Sequence, residues 1–515
     1  MQYQTLLLLA VSAATASATY AGNLNYRSPS LNHPDLGIAV SKVVKRSDPA
    51  AAFDPAKLNF THGVASGDPY ANSVILWTRV KDKDPGHWRS PLYSPVPIYN
   101  SSDEANDYIY EYADGFYGSG KDIGRVPLPD RTIYTLYDYR KRIATHRTDI
   151  DLVANHQRFA WIPVWDDHVL SNGAALLEVG DNTYRDGSSL LRNVEASFLI
   201  SGGVSVDQRK MNAVRAYFEW MPIRQVDMDD NLRIWRNFQI GSLVDVLMLD
   251  TRHYDRSITD LYLNHFYVKK LKDDASRSLM GSQQENWFYR NLIKSSERGA
   301  KWRIVGSQIV FSHIDQSAAF GKLQDFNLDA WDGYQANRNR TFKTLYDNKI
   351  NNTILIAGDS HANWVSDVAW LDHAKYDEKT GAGAIGVEFA GSSITSPSPA
   401  GSAKIDATVK KSKSLVDNNS ILQWSELYYR GYFELHITPA EVQAKFFGTP
   451  KIRERDFSEV SLANFTVKEG ANCLDRGSTG VPGGGIVENG WLKGGKVKRT
   501  DLANNTETGQ WMKVN

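Results

Sequence analysis

The sequence is poor in cysteine, in net charge and in long apolar runs. A single cysteine, Cys473, stands among 515 residues. It excludes an intrachain disulfide framework and a cysteine-based zinc cluster. Lys and Arg total 59, and Asp and Glu total 59. That balance argues against a broad electrostatic grip on nucleic acid or on an anionic membrane. No segment after the N-terminus is apolar over the length needed to span a bilayer. The chain has no Gly-x-Ser-x-Gly elbow, no His-Glu-x-x-His and no Gly-x-Gly-x-x-Gly after a strand. Serine-hydrolase, zincin and dinucleotide-binding readings lose their signatures with them. There is no internal repeat. What is present is a globular composition, with 42% hydrophobic and 11% aromatic residues. The length suits one large catalytic domain with appendages.

The N-terminus suggests a compartment. Residues 6–14 form a short apolar run, followed by Ala16-Ser17-Ala18. The run is too short for a bilayer and suits a signal peptide over residues 1–18, although its start carries no Lys or Arg. Seven N-x-S/T sequons begin at Asn59, Asn100, Asn339, Asn351, Asn418, Asn464 and Asn504. Together they fit a secreted, glycosylated protein, extracellular or in a cell wall. Residues 19–58 read as an extension or propeptide, rich in Ser, Pro, Asn and Ala. Lys45-Arg46 is a processing site or a solvated basic pair.

Four apolar runs have the length of buried strands: residues 159–165, 244–249, 303–311 and 353–357. The first ends in Asp166-Asp167-His168 and the second in Asp250-Thr251-Arg252. The third carries Gly306-Ser307-Gln308, and the fourth ends in Gly358-Asp359-Ser360-His361. Residues 73–79 read as a further strand. Residues 133–156 and 278–296 read as helices, the second with Trp287, Phe288, Leu292 and Ile293 on one face. From Arg430 onward the pattern is all-β, and the tail is loop-rich. Strands alternating with helices, with polar clusters at strand exits, predict an α/β layered domain whose site lies on the strand-end loops.

The clusters carry hard-metal chemistry. Asp107 and Tyr110 set a carboxylate and a phenol three residues apart, both hard oxygen donors. Asp166, Asp167 and His168 add two carboxylates and an imidazole, and Asn172 an amide oxygen. Asp359 and His361 lie two apart and face one way if the segment stays extended. Together they suggest an oxygen-rich binuclear site, in which two metals clamp a phosphoryl group and activate water. His168 or Arg252 would then hold phosphate oxygens. Each cluster alone has a structural alternative. Asp250 with Arg252 reads as an ordinary ion pair. Trp331-Asp332-Gly333-Tyr334 reads as a turn with packing aromatics. Asp166-Asp167-His168 reads as a helix cap with a solvated His. One near-match is rejected: residues 115–121 approach a phosphate-binding P-loop, but Asp122 stands where Ser or Thr is needed, and Gly124, Pro127 and Pro129 prevent the following helix.

The clusters, in their order, resemble the PhoD-like alkaline phosphatases and their phospholipase D and phosphodiesterase relatives, with secreted fungal members the most similar. The resemblance covers the chain from about Asn23 to near the C-terminus. It is carried by Gly63-Val64-Ala65-Ser66-Gly67-Asp68-Pro69 with Ile75-Leu76-Trp77-Thr78-Arg79, and by Asp107-Tyr108-Ile109-Tyr110-Glu111-Tyr112. Trp165-Asp166-Asp167-His168, Met221-Pro222-Ile223-Arg224 and Leu249-Asp250-Thr251-Arg252 follow, then Trp331-Asp332-Gly333-Tyr334 and Gly358-Asp359-Ser360-His361. The resemblance implies a calcineurin-like metallophosphoesterase β-sandwich flanked by helices, in the α/β class, behind a small N-terminal β-domain. It implies ferric iron and calcium as cofactors and a phosphate mono- or diester as substrate. Asp107 becomes the bridging carboxylate and Tyr110 the phenolate on iron. Asp167, Asn172 and Asp359 become calcium-side ligands, with His361 on the iron side, and Asp166 is a further metal ligand not assigned to either ion. His168 and Arg252 become substrate-holding catalytic residues.

The sequence departs from that family between Arg79 and Asp107, which are only 28 positions apart. The family carries there the rest of its β-domain, the first catalytic strand and a cysteine ligand. Residue 106 is Asn where Gly is usual, and Val169 replaces a usual Glu. The expectation is a shortened chain: residues 59–105 a remnant of the β-domain, 106–450 the metallophosphatase domain and 451–515 a C-terminal extension. The principal rival is a family member that folds and binds without turnover. A diester preference is a third reading, weakened because no long apolar lip is evident.

Overall fold

The structure, a computed structural model, describes residues 133–166 and 206–482 with short gaps, and strand segments within 58–82 and 487–513. At the N-terminal side lie β1 (Leu58–Asn59), β2 (Val64–Tyr70), β3 (Ser73–Thr78) and β4 (Lys81–Asp82). Helices α1 (Leu136–His146) and α2 (Ile150–Arg158) follow, then β5 (Ala160–Trp161) and α3 (Val206–Trp220). Strand β2 pairs antiparallel with β3 and parallel with β5, forming a small three-stranded sheet.

The expected helix over residues 133–156 is thus two helices. The break has a tertiary cause. Arg147 leaves α1 and is buried, donating to the Trp220 carbonyl at 2.6 Å and lying over the Trp77 ring at 4.5 Å. The expected strand over 159–165 is also corrected, since only Ala160–Trp161 pairs. Pro163 lacks the N–H a ladder needs.

The main body is built on seven strands. They are β6 (Arg236–Ile240), β7 (Val244–Met248), β8 (Trp302–Gly306), β9 (Thr353–Ala357), β10 (Asn363–Val368), β11 (Gly386–Ala390) and β12 (Leu422–Glu426). Their order across the sheet is β12-β10-β11-β9-β8-β7-β6, and the adjacent pairs β7–β8, β8–β9 and β9–β11 are parallel. Central strands are buried on both faces, so β8 (Trp-Arg-Ile-Val-Gly) and β9 (Thr-Ile-Leu-Ile-Ala) are dense in β-branched residues. A second, antiparallel sheet holds β13 (Arg430–Ile437), β14 (Glu441–Thr449) and β15 (Glu459–Lys468), with Val497–Lys498 at its edge.

One face of the large sheet shares a core with the second sheet. Ile304, Ile354, Val387 and Trp424 there meet Val442, Phe446, Leu462 and Phe465. The other face is covered by helices. These include α4 (His265–Leu271), α5 (Gly281–Glu297), the short α6 (Ser317–Phe320), α7 (Gln335–Asp347) and α8 (Ile405–Asn418). Helix α5 turns Gln284, Phe288, Leu292 and Ser295 inward at helical spacing. Ser278 Oγ accepts the Gly281 N–H at 2.8 Å at its start, and Gly299, at φ 74°, ends it. Phe288 and Leu292 pack with Val305, Phe342 and Leu355, with Trp287 and Ile293 at the margin. Fully burying such a side chain contributes about 1.5–3 kcal/mol.

Candidate active site

The parallel neighbours β7, β8 and β9 end at one edge of the sheet, and the loops leaving them carry the polar clusters. The loop after β7 is shaped by Asp250, which is fully buried. Its Oδ1 accepts the backbone N–H groups of Arg252 at 3.0 Å and His253 at 2.9 Å. Its Oδ2 accepts the Trp165 indole N–H at 2.8 Å. A side-chain carboxylate bonded two residues ahead is an Asx-type turn. Gln308, on the loop after β8, joins the loops. Its Oε1 accepts from the Thr251 N–H at 2.9 Å and hydroxyl at 2.6 Å, and its amide donates to the Leu249 carbonyl at 2.9 Å.

That turn aims Arg252 into the protein. Its guanidinium is buried and, among the described residues, meets three carboxylates: Asp166 on Nε at 2.6 Å, Asp329 on Nη1 at 2.7 Å and Asp359 on Nη2. The expected Asp250–Arg252 ion pair is corrected here. Asp250 binds the Arg252 backbone, and the charge of Arg252 goes to other acids. Asp329 is held in turn by Arg256 and the Thr259 hydroxyl. Burial pushes the Asp329 carboxyl up, but Arg256 and Arg252 beside it outweigh burial and hold it below the usual range.

The loop after β9 is not extended, so the condition under which Asp359 and His361 would face one way is not met. Asp359 has φ 62° and His361 φ 55°, so both lie in the left-handed region that non-glycine residues rarely adopt. The Gly358 N–H donates to the Gln308 carbonyl at 3.0 Å, which ties this loop to the one after β8. Behind His361, Asn363 Oδ1 accepts the Ser392 N–H at 2.9 Å, and Asn363 donates to buried Glu426 at 3.2 Å. Burial pushes Glu426 up to about 7, against the Tyr428 and Tyr429 N–H groups, Arg430 and Asn363.

Of the expected site residues, Asp166, Arg252, Asp359 and His361 lie among the described residues. Arg252 joins Asp166 to Asp359, and His361 is two positions on. Asp107, Tyr110, Asp167, His168 and Asn172 lie outside the described residues. Among the described residues no group of three His, Cys, Asp or Glu side chains is set to hold a metal ion. Sequence reasoning missed Asp329, whose signal was its place three residues before Asp332 in the Trp331–Tyr334 motif. That motif is the aromatic turn expected of it, since Trp331 packs on Phe311 at 4.9 Å. It also buries Asp332 against Arg338 at 2.6 Å.

Comparison with known proteins gives this edge of the sheet a context. Residues 105–446 match the family model of PhoD-like phosphatases, and residues 46–106 match that of the PhoD-like phosphatase N-terminal domain. The chain is 31% identical over 390 residues to alkaline phosphatase D of Bacillus subtilis (strain 168), a match over 74% of this chain. It spans 60% of that relative's length. A solved structure, that of PhoD, superposes with a TM-score of 0.58 at 24% identity, over 84% of this chain and 94% of the other. At that identity the likeness is one of fold.

Proposed function

The chain belongs to the PhoD-like phosphatase family, and from that premise we propose that it is a secreted, metal-dependent phosphoric ester hydrolase of the alkaline phosphatase D type. The observation that carries this reading is the gathering of Asp166 with Asp359 and buried Arg252, the latter two on loops leaving parallel strands, with His361 on the same loop as Asp359. Two sheets sharing a core, with helices on the outer face, support the calcineurin-like description of the fold. The domain division at about residue 106, the signal peptide and a chain shortened between Arg79 and Asp107 belong to the same proposal.

The residues present fit a hard metal ion in donor type: carboxylates at Asp166 and Asp359 and an imidazole at His361. With Asp107, Tyr110, Asp167 and Asn172 they would hold ferric iron and calcium. Bound there, such ions supply Lewis acidity toward the phosphoryl oxygens and an activated water. The chain's own contribution is electrostatic and positional. Arg252 is a fixed cation whose fork matches phosphate oxygens. Asp329, held ionised by Arg256, keeps it in place. His168, two positions after Asp166 in sequence, is the second candidate for a phosphate contact. A phosphate mono- or diester fits this arrangement.

The test is p-nitrophenyl phosphate hydrolysis by the full chain, with calcium and iron added. Turnover that chelator abolishes is expected; folded protein without turnover overturns the reading. A second reading has one observation in its favour. Arg252 already sits on two of the proposed ligand carboxylates, as it would in a family member that binds without turnover. Such a protein holds no stoichiometric iron, so the metal content of the purified chain separates the two.

A further inference from the structure

His313 and Asp332 form a pair that the function above does not use. His313 lies on the loop leaving β8, the loop whose Gln308 stitches the Arg252 turn in place. Asp332 lies three residues after Asp329, which holds Arg252 itself. The two segments that carry the pair therefore also carry groups that hold the site's cation. The His313 ring is half-exposed, with Nδ1 at 2.6 Å from Asp332 Oδ1. It stacks on Phe326 at 4.7 Å with 14° between the planes, which fixes its second axis. Asp332 is buried and meets Arg338 at 2.6 Å. Burial would raise its carboxyl, but Arg338 and His313 hold it low and ionised. An ionised carboxylate only accepts, so Nδ1 carries the proton and Nε2 is the ring's remaining working atom. Among the described residues Nε2 has no partner.

An imidazole tied at one nitrogen by a buried acid, partly exposed and carried by a loop that also holds the site's cation, is the arrangement of a proton donor or acceptor. We propose that His313 is a catalytic residue that protonates the leaving alcohol. This rests on the hydrolase reading above. Protonated on both nitrogens, the ring keeps Nδ1–H on Asp332 and offers Nε2–H to the ester oxygen. Water attacks phosphorus, and the bond from phosphorus to the alcohol oxygen breaks. The electron pair of that bond stays on the alcohol oxygen, which takes the Nε2 proton. The attacking water loses its proton to solvent, and solvent reprotonates Nε2. Ester and water become alcohol and phosphate. Among the described residues, those facing the ring are Asp332, with Arg338 behind it, and the uncharged Phe326.

The experiment compares two esters on the full chain. Ethyl phosphate needs a proton on its leaving oxygen, whereas p-nitrophenyl phosphate releases a stable phenolate unaided. His313→Gln changes a half-exposed side chain, and circular dichroism checks that the fold is kept. It is expected to lower ethyl phosphate turnover about 100-fold and p-nitrophenyl phosphate turnover less than about 3-fold. Equal losses on both esters, or no loss on either, overturn this role while leaving the hydrolase reading intact. A wild type that turns over neither ester overturns the hydrolase reading and this role with it.

Discussion

Asp359 and His361 hold backbone conformations that disfavour side chains with a Cβ. A left-handed φ costs a non-glycine residue about 1–2 kcal/mol. Strain of this kind persists where the surroundings over-determine it, and it clusters at functional sites. Glycine at 361 would release it, and alanine would not. His361→Gly is therefore expected to be more stable than His361→Ala by about 1 kcal/mol, and both are expected to lose turnover. Urea unfolding of the two variants checks the difference; equal midpoints would mean the strain is not there. Glu426 supplies a second test. Burial raises its carboxyl from an ordinary 4.5 to about 7, so between those values the folded chain holds a proton that the unfolded chain releases. Its contribution is full below 4.5 and is lost as pH rises toward 7, a swing of about 3 kcal/mol. The melting temperature should fall across that window, and fall less in Glu426→Gln. Parallel pH profiles would remove Glu426 as the cause. The motif at Asp359 and His361 was legible in the sequence because its residue types announce metal chemistry. Its left-handed backbone was not, since neither position is glycine. Glu426 gave no signal either: a lone Glu at a strand end looks solvated until Asn363 of β10 and the residues just after β12 close on it.

At the scale of elements, three of the four apolar runs became strands because they are central and buried on both faces. The fourth failed at Pro163. The helix over 133–156 broke where Arg147 found the Trp220 carbonyl and the Trp77 ring, partners 70 or more residues away in sequence that no local pattern announces. The turn at Trp331–Tyr334 is the element on which both Asp329 and Asp332 depend. Gly333 makes it possible, since a Cβ there would come within 1.9 Å of the Leu328 carbonyl oxygen. That obstacle is backbone and does not move aside. Gly333→Ala is expected to destabilise the chain by about 1–3 kcal/mol and to lower turnover, because both carboxylates shift with the turn. A melting temperature and a turnover number equal to wild type would show that the turn has room to relax.

At the scale of the whole molecule, a buried charge pair links the small N-terminal sheet to the main body. Asp68 of β2, fully buried, takes Arg236 of β6 in a two-pronged contact at 2.6 and 3.0 Å and also accepts the Arg224 N–H at 2.7 Å. The segments resembling the family at 63–69 and 221–224 thus meet here, although they are some 150 residues apart in sequence. The sequence named both segments and could not pair them, because a buried pair is written in two distant places. The shortening proposed between Arg79 and Asp107 falls just beyond this junction. Transcript sequencing across codons 97–107 is expected to reveal an intervening exon, and its absence would end that explanation. The junction itself has a direct test. Removing one partner of a buried pair leaves the other charge stranded, at a cost of about 3–5 kcal/mol, whereas replacing both by apolar residues is often neutral. Asp68→Leu alone should therefore strand Arg236 and strongly destabilise the chain. Asp68→Leu with Arg236→Met should recover much of the loss. The double variant would also show what the pair is for. If stability returns while turnover does not, the charges set the register of the small sheet against the site. If both return, the pair is replaceable packing, and the small sheet needs only an apolar contact to stay in place.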